Sequence, residues 1–255
     1  MIRDSLILAK RSITKMVRNP EQFIDVTVQP IIMTVLFVFI FGGAIAGSTG
    51  KYVEFALPGI IVQTIMFTSL TIGVNLNTDI EKGIFDRFRS LPIARSAPLF
   101  GAVLGDIVRH SIAITVTLVF GAIIGFEFNT PWWHVAIAII VIIAFAVSLC
   151  WVSVLIGMLA RSSGAVQGIS FLIVFPLTFG SSTFVPASTL PTWLQGWVAV
   201  NPVTHVIESM RGLLTGSTDV AGDTLTGQLL WVAASCVVLV AIFFPLATWA
   251  YRKKI

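Results

Sequence analysis

The sequence predicts an all-α integral membrane protein with six transmembrane helices, and three observations carry that prediction. Hydrophobic residues make up 56% of the 255 positions and charged residues only 11%, against about 25% charged in soluble domains. Residues 26–50, 55–78, 111–126, 135–160, 162–204 and 224–251 contain no Asp, Glu, Lys, Arg or His, and crossing the hydrocarbon core as a helix takes about 20 apolar residues. A soluble core helix would need a polar face, and these windows lack one. The charges also alternate. Fourteen of the sixteen Lys and Arg fall in residues 1–25, 79–110, 160–165 and 252–255. Positive loops stay inside, so these segments and both termini are expected in the cytoplasm.

The elements follow in order. In residues 2–18, Ile2, Leu6, Ala9, Ile13 and Val17 form a stripe with Arg3, Lys10, Arg11, Lys15 and Arg18 between them. That pattern predicts an N-terminal interfacial helix over residues 1–20, in contact with membrane lipid. Asn19-Pro20 breaks it and turns the chain into the bilayer. These twenty residues are too charged to be a cleavable leader, so the first span is expected to serve as its own insertion signal. The spans are drawn at 23–46, 55–77, 103–126, 135–159, 166–184 and 229–251, with Asp106, Arg109 and His110 left at the inner lip of the third. Trp132, Trp133, Trp193 and Trp197 mark the outer interface and Trp249 the inner one, because indoles prefer the headgroup level. Cys150 and Cys236 fall inside spans as small apolar residues, and no disulfide or metal framework is expected from them. The chain is expected to form a single transmembrane domain, 1–255.

Two hydrophilic pieces are more than turns. In the cytoplasmic loop 79–98, Ile84, Phe88 and Leu91 fall at i, i+4 and i+7, with Asp86, Arg87 and Arg89 on other faces and Pro92 ending the turn. A short amphipathic helix of this kind suits a groove on a partner protein, or simply joins two spans in the interface. Interleaved Asp79, Glu81 and Asp86 argue against nucleic acid as the partner of this basic stretch. The outer segment 185–223 is divided by Pro186, Pro191 and Pro202. Two short re-entrant helices, about 190–200 and 203–214, would let it dip into the outer leaflet before the last span and close the outer end of a pathway.

The run Glu81, Gly83, Asp86-Arg87-Phe88-Arg89, Pro92 and Arg95 resembles the coupling loop of type-2 ATP-binding-cassette exporter permeases, in particular the daunorubicin-resistance type of drug-efflux subunit. Phe184-Val185-Pro186, Leu190-Pro191, Trp193-Leu194-Gln195, Asn201-Pro202 and Arg211-Gly212-Leu213 resemble the outer segment that family places before its last span. Ile84 and Phe85 stand where that family carries Thr and Leu, which bears on partner fit and not on membership. The resemblance implies a bacterial plasma-membrane permease, with Glu81, Gly83, Phe85, Asp86, Arg87, Phe88, Arg89, Pro92 and Arg95 forming a cytoplasmic coupling helix. That helix would seat in a separate soluble ATP-binding-cassette ATPase, which holds the ATP and magnesium, while a second permease completes the pair. The chain itself has no G-x-x-x-x-G-K-[ST] phosphate loop, and no cofactor is expected in it.

Other functions weigh less. An ion-coupled secondary transporter needs ionisable groups near the midplane, and Asp25, Glu54, Asp106 and Glu127 are expected at lips. An intramembrane enzyme has only Ser170 and the His205, Glu208 pair to draw on, and a buried Ser usually bonds its own helix. A metal site at His205 and Glu208 would lack a third ligand. For the substrate path, Gln63, Phe67, Thr71 and Asn75 recur every fourth residue as a semipolar stripe in the second span, joined by Phe171 and Phe175 in the fifth. A helix–helix seam accounts for the same stripe. Pro186, Trp193, Asn201, Pro202, Glu208 and Arg211 are the expected outer gate, with Glu208 and Arg211 paired at headgroup level.

Overall fold

A computed structural model describes residues 2–85, 97–217 and 224–254, and all regular structure among them is helical. The helices are α1 (Ile2–Arg18), α2 (Pro20–Ala46), α3 (Thr49–Glu81), α4 (Ala97–Ile123), α5 (Trp132–Leu159), α6 (Ser163–Phe179), α7 (Thr192–Val200), α8 (Pro202–Thr215) and α9 (Leu225–Lys254), with a 3-10 turn at Ala187–Thr189. Side-chain caps set several starts: Ser48 Oγ accepts from Lys51 N at 3.4 Å, Ser162 Oγ from Ala165 N at 3.2 Å and Asn201 Oδ1 from Val203 N at 2.9 Å. Gly216, at φ 77°, closes α8 in the left-handed conformation that glycine adopts freely.

Five helices, α2, α3, α4, α5 and α9, are long and apolar enough to cross a membrane. The fifth expected span differs. Drawn to Phe184, it stops as α6 at Phe179 after 17 residues, or about 26 Å at 1.5 Å per residue. Pro176 withholds one helical N–H, and the chain leaves the helix at Gly180 as irregular backbone covered by protein. The third span also differs: α4 begins at Ala97, so Asp106 lies well inside the helix and is 6% exposed.

The bundle is built around α3, which packs on α2, α4, α5, α6 and α8. Ile60, Ile61, Ile65 and Met66 on it are fully buried. Where α3 crosses α5, Gly73 and Gly157 bring the backbones into contact: a Cβ on Gly157 would lie 2.5 Å from Gly73 O. Small residues permit such approaches in membrane helices. Beside that crossing, Asn77 Nδ2 donates to Gly157 O at 2.9 Å and Ala160 O at 3.1 Å. At the edge, α9 touches α5 and α8, and most of its apolar surface faces outward. Such surfaces belong against lipid. α1 lies on α4, with Ala9 and Met16 buried, while Leu6 and Val17 of its stripe stay exposed.

Candidate functional site

The end of α3 and the turn after it meet α1 through Asp79 and Lys15 and the C-terminal turn of α9 through Phe85 and Tyr251, next to Arg252 and Lys253, and this is the basic end of the molecule. At the opposite end, α8 supplies a buried polar latch. Every residue of α8 from Val203 to Leu214 is buried, so the Glu208–Arg211 pair expected from the sequence lies within protein. They are 0% and 3% exposed. Arg211 Nη1 donates to Glu208 Oε1 at 2.5 Å, and Ser182 Oγ donates to the same oxygen at 2.7 Å. Arg211 Nη2 reaches Ser182 O at 3.0 Å and Phe55 O at 3.1 Å, and its Cζ lies 3.9 Å from the Phe55 ring centre. A buried charge is tolerated when it is paired and its remaining protons are bonded, and this guanidinium meets both conditions. The latch therefore joins α8, the loop after α6 and the turn of α3 around Phe55. Tyr52 Oη donates to Phe184 O at 3.0 Å beside it.

The remaining expected gate residues play different parts. Asn201 caps α8 and donates from Nδ2 to Leu177 O at 2.8 Å and Gly180 O at 2.9 Å, binding the unwound end of α6. Pro202 takes the first helical position, where its missing N–H costs nothing. Pro186 precedes the 3-10 turn. Trp193 on α7 is 75% exposed. Thus α8 is a core helix, whereas α7 is a surface one.

Between α2, α3 and α6 lies a part-open cavity of about 270 Å³, walled by Phe37, Phe67, Phe171, Phe175 and Phe179 with Met33, Gln29, Gln63 and Thr64. Four expected path residues, Gln63, Phe67, Phe171 and Phe175, meet here. Phe67 and Phe171 are 5.5 Å apart at their ring centres. Gln63 lines the cavity, and its amide has unused hydrogen-bonding capacity, Oε1 being buried without a partner. Thr71 and Asn75 continue the stripe, half-buried, toward the basic end and do not line the cavity. Phe171 and Phe175 form its exposed rim, because α6 buries only the single row Val166, Ser170, Val174 and Thr178.

At the basic end, α3 is tied to two neighbours. Asp79 Oδ1 accepts from Lys15 Nζ at 3.0 Å and its Oδ2 from Arg11 Nη2 at 3.4 Å. Glu81 Oε1 accepts from Ser163 N at the start of α6, at 3.3 Å. Gly83 turns the chain at φ 66°, a conformation that suits glycine. Phe85, expected among the coupling residues, is 3% exposed and edge-on to Tyr251 at 5.8 Å, so it packs within the core. Asp86, Arg87, Phe88, Arg89, Pro92 and Arg95 lie outside the described residues.

Sequence reasoning missed Asp79, Ser182 and Tyr52, whose partners are distant in the chain and leave no local pattern. It also placed Asp106 at a lip. Asp106, Arg109 and His110 share one face of α4, at i, i+3 and i+4, a spacing that signals one cluster once the helix is started at Ala97. Arg109 Nε lies 3.5 Å from Asp106 Oδ1.

The described residues thus form a helical bundle with apolar outward flanks, an aromatic cavity between its long helices and a polar latch toward one end. The family described as ABC-2 type transporter matches residues 4–215. The chain is 39% identical over 235 residues to the daunorubicin resistance ABC transporter permease protein DrrB1 of Streptomyces coeruleorubidus, covering 92% of this chain and 81% of that one. Over 255 residues it is 24% identical to the probable doxorubicin resistance ABC transporter permease protein DrrC of Mycobacterium tuberculosis, covering 99% and 89%. The inner membrane transport permease YadH of Escherichia coli K12 is 24% identical over 244 residues, covering 91% and 89%. The chain belongs to the ABC-2 type transporter family, as a membrane permease that works with an ATP-binding cassette subunit.

Proposed function

We propose that this permease exports an amphipathic drug or lipid-like compound from a bacterial cell, using ATP and magnesium bound by a separate soluble ATPase. The observation that carries the reading is the cavity between α2, α3 and α6, whose aromatic walls are joined by the amide side chain of Gln63. Daunorubicin, for which one relative is named, combines a flat fused-ring body with hydroxyl and ammonium donors. Such a molecule stacks on Phe67, Phe171 and Phe175 and hydrogen-bonds to the Gln63 amide. The exposed rim on α6 supports a second permease, identical or homologous, as the other wall.

Residues 1–255 act as one transmembrane domain with both termini in the cytoplasm, as the concentration of Lys and Arg at the basic end supports. The 79–98 loop, through Asp86, Arg87, Phe88 and Arg89, takes the push of the ATPase. Glu81 and Asp79 pass it to α6 and α1. The segment from Pro186 to Arg211 then opens on the outer side.

The test uses vesicles holding the permease with its ATPase, and daunorubicin as the probe. Gln63→Ala is expected to raise the KM for efflux about five-fold, the equivalent of about 1 kcal/mol for one hydrogen bond. Phe175→Ala should raise it at least as much, with ATP hydrolysis in the absence of drug unchanged. Wild-type KM values in both variants would exclude this cavity as the drug site.

A further inference from the structure

Away from the cavity and the latch, three ligand-type side chains converge inside the bundle. Asp106, His110 and Cys150 come from α4 and α5, are 6%, 0% and 0% exposed, and place one donor atom each within 4.8 Å of the others. His110 Nε2 is 3.5 Å from Cys150 Sγ, which is 4.0 Å from Asp106 Oδ2. Ser69 Oγ of α3 stands 3.4 Å from His110 Nε2 and already donates to Ile65 O. His110 Nδ1 is buried without a hydrogen-bond partner.

We infer that these three side chains form a binding site for one borderline-soft divalent cation of the zinc type. Thiolate, imidazole and carboxylate are the donor set that zinc takes, and three protein ligands leave a fourth position for water. With metal–ligand bonds of about 2.0–2.3 Å at tetrahedral angles, the donor atoms should stand roughly 3.3–3.6 Å apart. The imidazole–sulfur separation already meets that requirement. The carboxylate must close by about half an ångström on the sulfur and by as much as about 1.4 Å on the imidazole, which takes a rotation of the Asp106 side chain toward the other two ligands.

Two features around the cluster fit the assignment. Arg109 Nε faces Asp106 Oδ1, so one carboxylate oxygen is held from outside while the other points at the sulfur. Outer partners of this kind orient a metal-binding carboxylate. A divalent ion with one thiolate and one carboxylate is neutral, and the positive charge of Arg109 beside them is faced by Asp25 as well as by Asp106. Binding releases the Cys150 thiol proton to solvent and cross-links α4 to α5 beside α3.

The experiment measures zinc by elemental mass spectrometry in the full chain, purified without a polyhistidine tag from zinc-supplemented cells. About one zinc per chain is expected, with Cys150→Ser and His110→Gln lowering occupancy at least about ten-fold and Cys236→Ser leaving it unchanged. X-ray absorption at the zinc edge of the wild-type protein should show one sulfur at about 2.3 Å. That measurement stands even if a variant fails to fold. Far less than stoichiometric zinc, equal zinc in folded Cys150→Ser, or an edge spectrum without a sulfur shell would each overturn the inference.

Discussion

Arg211→Met is the substitution whose cost the structure specifies best. Arg211 gives Nη1 to Glu208, Nη2 to Ser182 O and Phe55 O, and its guanidinium face to the Phe55 ring. Methionine fills a similar volume but strands a fully buried carboxylate, which costs about 3–5 kcal/mol. Glu208→Met/Arg211→Met removes both charges. What remains is the loss of donors to the Phe55 and Ser182 carbonyls, about 1–3 kcal/mol in all. The double variant is therefore expected to be more stable than Arg211→Met alone, with a coupling energy of about 2 kcal/mol or more. Reversible unfolding of the purified permease by SDS in mixed micelles measures all four corners of the cycle. A loss below about 1 kcal/mol for Arg211→Met, or strict additivity, would refute the idea that the pair acts as one buried unit.

Three further substitutions, one of them a control, probe the frame. At Gly157 an added Cβ meets the Gly73 backbone, at 2.5 Å from O and 2.9 Å from Cα, whereas at Gly168 it meets nothing within 4 Å. Gly157→Ala should cost about 1–3 kcal/mol by overpacking and Gly168→Ala nothing, and equal stability of the two in SDS titration would contradict the close crossing. Asp79→Asn removes both bridges to α1, whose partners are about 40% exposed at the side chain, so stability should fall by less than about 1 kcal/mol. Trypsin should nevertheless cut α1 faster in the variant at low salt, and the difference should vanish near 1 M salt, where the screening length is about 3 Å. Identical digestion rates at low salt would mean that Asp79 does not hold α1.

Charge-free windows made the spanning helices legible, because a charge-free run of this length has few homes other than hydrocarbon. Where a helix ends inside such a window is invisible to hydropathy. Gly180, Ser181 and Ser182 are as uncharged as α6 itself, yet the chain unwinds there to meet Asn201 and Arg211. The stripe through Gln63 and Phe67 was visible at helical spacing, and its meeting with Phe171 and Phe175 was open to suggestion from the aromatics alone. Glu208 and Arg211 were visible as an i, i+3 pair, but their burial was not. The carbonyls that make it tolerable come from Phe55 and Ser182, 156 and 29 residues away from Arg211. Phe85 entered the coupling set through the resemblance, and no local pattern announced that its ring packs edge-on to Tyr251, 166 residues away.

The 33 residues of α3 run without a break from Tyr52 and Phe55, at the latch, to Asp79 and Glu81, at the ties to α1 and α6. At 1.5 Å per residue that is a single lever about 50 Å long, gripped at each end by different neighbours. Free energy applied at one grip is felt at the other, and thermodynamic reciprocity makes the exchange equal in both directions. A ligand at one end whose binding shifts α3 therefore changes the affinity of a ligand at the other end by the same factor that it feels in return.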